Sequence, residues 1–173
     1  MLKRVVIAVA ALASIALPTT ASALPTIINL DATDPGNEFF IALDAGDYRV
    51  DPILDQFIAW NAWGQETSCD SDGENCSRGW IYSYRFDSLD TGDIGVGSGA
   101  DRFATAIQAF DNAQPFAFSL SQMQEVRFYR PDSNFNDNEG GMSLQLVEVS
   151  EPGMTLLFGL GMIGVALHAR RRA

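Results

Sequence analysis

The chain has 173 residues, with 11 Lys and Arg against 22 Asp and Glu, two cysteines and one histidine. This length gives room for one domain. The acidic balance excludes nucleic acid as a partner, because the surface would repel phosphates.

The N-terminus has the organisation of a secretory signal peptide. Lys3 and Arg4 precede the apolar run 5–17, and a small-residue end at 21–23 follows. The apolar run is too short for a retained membrane span, which needs about 20 residues. We therefore expect residues 1–23 to form a signal helix that is cleaved after Ala23.

The middle of the chain is more acidic than the whole. The two terminal segments contain five of the 11 basic residues and one of the 22 acidic residues. Residues 24–150 therefore keep 6 basic and 21 acidic side chains, a net charge of about −15. Such a surface suits cations, neutral sugars or a basic partner, or it simply keeps an exported domain soluble.

Residues 24–150 show apolar alternation broken by Gly, Asp and Asn, which predicts a mainly β domain. We expect a short, jelly-roll-like β-sandwich with one small helix. Residues 37–54 predict a hairpin, with a turn at 44–46 and Gly46 in the left-handed conformation. The alternating residues on its two sides are Phe39, Ile41, Leu43, Tyr48 and Val50.

Three tryptophans flank a loop that contains both cysteines. In an exported chain, the spacing of Cys69 and Cys76 favours a local disulfide over a metal site. Trp60 and Trp63 are candidates for an exposed platform on which a sugar ring stacks. Trp80 lies in the stretch 79–86, where aromatic residues alternate on one face and predict a core strand: Trp80, Tyr82, Tyr84 and Phe86.

The second half of the domain predicts a flexible glycine loop at 90–102, a short helix and two strands. Phe103, Ala106, Ile107 and Phe110 recur at helical spacing before Pro115. The strands are expected in 125–131, with Val126 and Phe128 on one face, and in 142–149.

The loop between these two strands is rich in hard oxygen donors, which Ca²⁺ prefers. It supplies a candidate calcium site, although the same side chains commonly cap their own backbone. The candidate ligands are Asp132, Asn134, Asp137, Asn138 and Glu139. No other cofactor is indicated.

Catalysis is not expected. The only histidine, His168, lies in the C-terminal apolar segment, so an activated serine or cysteine lacks its usual base. A carboxylate pair for glycoside cleavage stays open as an alternative, because so many acidic side chains always offer pairs.

The C-terminus combines an apolar segment with a basic end. Residues 154–169 carry no charge, and a helix of this length rises about 24 Å, somewhat short of a bilayer core of about 30 Å. Arg170, Arg171 and Arg172 favour the cytoplasmic side, which leaves the domain outside the inner membrane. We expect a transmembrane helix that spans a locally thinned bilayer.

This tail resembles the PEP-CTERM sorting signal of Gram-negative bacteria. Glu151 and Pro152 stand in the motif position, the apolar segment and the arginines follow in order, and Ser150 replaces the usual first proline. The resemblance implies that residues 151–173 are a sorting signal processed by an exosortase, an integral-membrane cysteine transpeptidase. It also implies association with exopolysaccharide and biofilm matrix.

The expected function is that of an exported, non-catalytic protein of the cell surface or matrix. The domain would be anchored transiently to the inner membrane, on its periplasmic side, and would then bind extracellular polysaccharide. A secreted carbohydrate-active enzyme and a structural matrix component without a small ligand are the alternatives.

Overall fold

The computed structural model of the chain describes residues 24–99 and 101–149. The described part contains strands, one short α-helix and one 3-10 turn, so the prediction of a mainly β domain with a small helix is confirmed. The predicted signal helix and transmembrane helix lie outside the described residues. The elements are β1 (Thr26–Asp31), β2 (Glu38–Leu43), β3 (Gly46–Pro52), β4 (Trp60–Gln65), β5 (Trp80–Ile81), β6 (Ser83–Asp87), β7 (Ile94–Gly97), α1 (Ala106–Asp111), β8 (Phe116–Leu120), β9 (Gln124–Tyr129), the 3-10 turn (Phe135–Asp137) and β10 (Glu139–Glu148).

The strands form two antiparallel sheets, one of which curls into a half-barrel. The larger sheet has the order β5-β4-β10-β3-β8, with β1 also paired to β10. The smaller sheet has the order β2-β9-β6-β7. Apolar side chains from both sheets meet in one core.

β10 is the hub of the larger sheet. β1 pairs along residues 141–146, from Asp31 opposite Gly141 to Thr26 opposite Leu146. β4 pairs at residues 139–140 and β3 at residues 144–148. The last strand therefore joins three strands from the first half of the domain.

Aromatic side chains tie the two sheets together. The ring of Phe86 in the smaller sheet lies 4.4 Å from that of Phe118 in the larger sheet, measured between centroids. Val126 and Phe128, predicted to share one face of β9, are both fully buried. Burial of each such side chain stabilises the fold by about 1.5–3 kcal/mol.

The predicted hairpin over residues 37–54 is wrong. β2 pairs with β9 in the smaller sheet, whereas β3 pairs with β10 and β8 in the larger one. The chain changes sheet at Asp44 and Ala45, where the Tyr48 hydroxyl donates to the carbonyl oxygen of Asp44 (3.0 Å). Gly46 is not in the left-handed conformation, because no tight hairpin turn is made here.

The predicted strand 79–86 is divided between the sheets. β5 pairs with β4 in the larger sheet, and β6 pairs with β7 and β9 in the smaller one, so the chain changes sheet at Tyr82. Tyr82, Tyr84 and Phe86 are buried as predicted, and Trp80 is half-buried. Ile81, predicted on the opposite face, is buried too because β5 belongs to the other sheet.

The predicted glycine loop contains an ordered strand, β7. Gly97 has a φ of 109°, and a Cβ there would collide with the carbonyl oxygen of Tyr82, so glycine permits a close approach of two strands. The predicted short helix is confirmed as α1. It begins with a capping box between Thr105 and Gln108.

Candidate functional site

The predicted disulfide between Cys69 and Cys76 is confirmed, and it closes the segment 69–76, called here the disulfide loop. The loop lies between β4 and β5. Its base is a short ladder in which Ser68 N–H donates to the Arg78 carbonyl (3.2 Å) and Ser77 N–H donates to the Ser68 carbonyl (2.9 Å). The disulfide therefore joins two antiparallel segments of the chain just beyond this ladder.

One carboxylate organises the inside of the disulfide loop. Asp70 accepts hydrogen bonds from the side-chain amide of Asn75 (2.8 Å) and from the backbone N–H groups of Glu74 (2.8 Å) and Asp72 (3.1 Å). The bond from Asn75 is the largest cause that lowers the Asp70 pKa, and the backbone bonds add to it. The loop thus has a defined shape despite its polar composition.

Residues 101–112 face the disulfide loop. Phe103 and Trp80 exchange backbone hydrogen bonds of 2.9 and 3.0 Å, which fixes the segment that leads into α1. Gly79 makes this approach possible, because a Cβ there would collide with the Phe103 carbonyl. α1 is anchored by fully buried Ala109 and by Phe110, whose ring lies 5.9 Å from that of Tyr82.

A cleft of about 520 Å³ separates the disulfide loop from α1. Its walls offer carboxylates, side-chain amides, one guanidinium group and one aromatic ring. Such a mixture of donors and acceptors suits a neutral, polyhydroxylated ligand, and the volume falls in the range of small-molecule sites. The lining residues are Gly73, Glu74, Asn75, Cys76, Asp101, Arg102, Phe103, Gln108 and Asn112.

Arg102 connects this cleft with Trp63. Its guanidinium carbon lies 5.4 Å from the centroid of the Trp63 ring, a cation–π contact. Partial burial lowers the Arg102 pKa, and Asp101 opposes that shift. Trp63 is half-buried with one face covered by Arg102, so only part of the indole remains for a ligand.

Trp60 does not form the exposed platform predicted for it. Its side chain is buried, its indole N–H donates to the Ser83 carbonyl (3.0 Å), and the Arg130 guanidinium lies 4.5 Å from its ring. The reason is its position in β4, which has β10 on one side and β5 on the other. Of the two tryptophans, Trp60 is therefore a core residue and Trp63 is half-buried.

The oxygen-rich loop uses its side chains locally. The Asp132 carboxylate accepts from Ser133 N–H (2.6 Å) and lies 3.3 Å from Arg130, and the Asn134 side chain accepts from Asn136 N–H. These contacts are the backbone-capping alternative.

The remaining candidate calcium ligands point to different partners. Asp137 ends the 3-10 turn, the buried Asn138 amide donates to the Ala32 carbonyl (2.9 Å), and Glu139 accepts from Gln65 (2.8 Å). Within residues 24–99 and 101–149, no three acidic, cysteine or histidine side chains are grouped to hold a metal. Calcium binding stays a prediction.

The residues predicted to direct sorting lie outside the described part of the chain: Ser150, Glu151, Pro152, Arg170, Arg171 and Arg172. In the part that is described, none of the helices has the length and apolar character to cross a bilayer.

Sequence reasoning did not find the cleft. Its two walls are 25 or more residues apart, and neither carries a recognisable binding motif. The Thr105–Gln108 capping box was the available signal for where α1 begins, and it would have placed Gln108 in the first turn of the helix.

Comparison with protein families gives one match, to the PEP-CTERM protein-sorting motif, over residues 148–172. No curated protein and no solved structure matches the chain. Proteins with this motif are exported and sorted to the cell surface by exosortase, and the motif implies the same route for this protein. The resemblance of the tail is thereby confirmed: the chain carries a PEP-CTERM protein-sorting motif near its C-terminus.

Proposed function

We propose that this exported protein binds neutral extracellular polysaccharide at the cell surface and has no catalytic activity. In this proposal the tail holds the domain on the periplasmic side of the inner membrane until exosortase processes it. The observation that carries the binding role is the cleft between the disulfide loop and α1, with Trp63 and Arg102 beside it.

The chemistry of the cleft supports a sugar ligand. Glu74 and Asp101 accept hydrogen bonds, whereas the amides of Gln108 and Asn112 both donate and accept, as sugar hydroxyls require. The charge of about −15 on residues 24–150 disfavours acidic polymers, because like charges repel. A neutral polysaccharide is therefore the best-matched class.

Three carboxylates outside the cleft are unsuited to the acid role that a glycosidase requires. A glycosidase needs a carboxylic acid whose pKa is raised, so that it can protonate the leaving group. Asp70, Asp90 and Asp93 have lowered pKa values, because hydrogen bonds stabilise their charged forms. These three groups are suited to structural roles.

A carbohydrate-active enzyme is the second candidate, because Glu74 and Asp101 line the same cleft. If they form a catalytic pair, Glu74→Gln and Asp101→Asn would each abolish release of reducing ends from a neutral glycan. If they only bind, the wild type would release none.

The test is titration of the protein recovered from the cell surface with cellohexaose and laminarihexaose by calorimetry, with polygalacturonate as an acidic control. Asn112→Ala removes a cleft amide, and exposed Gln114→Ala, just beyond the helix, is its matched control. Loss of one hydrogen bond weakens binding by about fivefold. Equal affinity of both variants would place binding elsewhere, and no binding to any neutral glycan would favour a structural matrix role.

A further inference from the structure

Among the described residues, the end of β10 is paired on one edge only. The pairing with β1 stops at Thr26 opposite Leu146, so within residues 24–99 and 101–149 the segment 147–149 has its strand partner in β3. Val147 pairs with Arg49, Glu148 pairs with Tyr48, and Val149 N–H donates to the Asp47 carbonyl (2.8 Å). This segment is called here the terminal segment.

The terminal segment overlaps the sorting signal. The PEP-CTERM match begins at residue 148, so it includes Glu148 at the end of β10 and Val149, which is hydrogen-bonded to Asp47. Glu151 follows Val149 by two residues, a span of at most about 7 Å in an extended chain. The folded sheet thus ends immediately before the residues that carry the motif.

We propose that the terminal segment separates from β3 before exosortase can process the tail, so that local opening at this end of the sheet limits the rate of processing. This inference rests on the exosortase processing implied by the motif. In this inference the folded domain helps to set the rate of processing, through the pairing of residues 147–149 with residues 47–49.

Two physical arguments support this requirement. Enzymes that bind peptides commonly do so on extended backbone through main-chain hydrogen bonds, and the Val149 N–H is already engaged by Asp47. The folded sheet also stands within a residue or two of the motif, where it would meet the enzyme. Opening exposes little apolar surface, because Glu148 and Val149 are already exposed.

Relief of the restraint is tested by inserting Gly-Ser-Gly-Ser between Val149 and Ser150 in the full chain. Pulse-chase labelling and intact mass follow the loss of the tail in cells with and without exosortase. The matched control has the same insertion between Asp34 and Pro35, both exposed and just beyond the end of β1 that pairs with Gly141, at the opposite end of β10. We expect several-fold faster processing for the first insertion and the wild-type rate for the second.

A second pair of substitutions is designed to hold the terminal segment against β3 with a disulfide. The pair Val147→Cys and Arg49→Cys joins two cross-strand partners in the oxidising periplasm, and each single substitution serves as its control. We expect several-fold slower processing for the double variant alone. Resistance to added protease establishes that each variant is folded before the rates are compared.

The outcomes separate this inference from the function on which it rests. If wild-type protein keeps its tail in cells that contain exosortase, processing itself is refuted. If the wild type is processed and the insertion and the crosslink both leave its rate unchanged, opening of the terminal segment is not required and the inference is overturned.

Discussion

The hydroxyl of Tyr82 donates a hydrogen bond of 2.8 Å to the carbonyl oxygen of Ser143. Tyr82 is the residue at which the chain passes from the larger sheet to the smaller one, and Ser143 lies in the middle of β10. The bond therefore links the crossing point to the hub strand. Burial raises the pKa of Tyr82, so the hydroxyl stays protonated and donates over the physiological pH range.

Replacing Tyr82 by Phe removes this donor without changing the ring. The Ser143 carbonyl keeps its bond from Ile53 N–H (3.0 Å), so no acceptor is stranded. We expect the free energy of unfolding to fall by about 1 kcal/mol, the net value of one hydrogen bond. Urea titration measures the change, and Tyr84→Phe is the matched control, because the Tyr84 side chain is also buried and its hydroxyl makes no hydrogen bond within the described residues. An equal loss in both variants would contradict the role of the bond.

Arg130 is a buried cation whose environment favours arginine over lysine. Its guanidinium lies 4.5 Å from the Trp60 ring and 4.7 Å from the Phe135 ring, donates to the Ala32 carbonyl (2.9 Å) and pairs with Asp132. The planar guanidinium group of arginine can stack on aromatic rings and donate hydrogen bonds at the same time, whereas the ammonium group of lysine cannot.

We expect Arg130→Ala to lower the free energy of unfolding by about 3 kcal/mol, because it leaves Asp132 without its cation. Arg130→Lys should also destabilise the domain, since the stacking is lost. Arg78→Ala, which breaks the exposed ion pair with Glu66, should cost less than about 1 kcal/mol. Urea titration compares the three, and a wild-type value for Arg130→Lys would show that charge alone suffices.

Asp90 fastens the loop after β6 to the turn between β8 and β9. It accepts from Ser121 N–H (2.8 Å), the Ser121 hydroxyl (2.9 Å) and the Gln124 amide (2.6 Å). The backbone bond from Ser121 is the largest cause that lowers the Asp90 pKa. The stabilisation that this carboxylate contributes is therefore complete above its unfolded pKa of about 3.9, and it is lost as the pH falls through the lower folded value.

We expect Asp90→Asn to reduce the loss of stability on acidification below about pH 4, because the amide does not titrate. Thermal melting midpoints, measured from neutral pH down to the lowest pH at which the domain is folded, give the slope of stability against pH. Asp72→Asn is the control, since that exposed carboxylate has no such partners in residues 24–99 and 101–149. A slope unchanged by Asp90→Asn would show that the hydrogen bonds do not favour the charged form.

The sequence predicted the strands better than their partners. Alternation placed Val126 and Phe128 in the core because a two-residue period fixes which face is apolar. The same period does not say which sheet a strand joins, so β2 and β3 were wrongly paired with each other. β7 was missed because glycine has low strand propensity, although Gly97 is required there by the close approach of Tyr82.

The candidate site was predictable only in part. Cys69 and Cys76 could be paired from their spacing, and a short helix was visible from Phe103 to Phe110. The burial of Trp60 depends on two neighbouring strands, one of which comes 80 residues later in β10. The cleft itself arises from the bridge between Trp80 and Phe103, a contact that no local pattern records.

The position of β10 in the larger sheet also bears on export. β10 joins β1, β3 and β4 into one sheet, so this sheet cannot be completed while residues 139–148 are still within the translocation channel. We expect the polypeptide to cross the membrane unfolded and to fold only when nearly all of the domain has emerged. The apolar tail would reach the bilayer at about the same time. Such timing keeps the larger sheet incomplete while the chain is being transported.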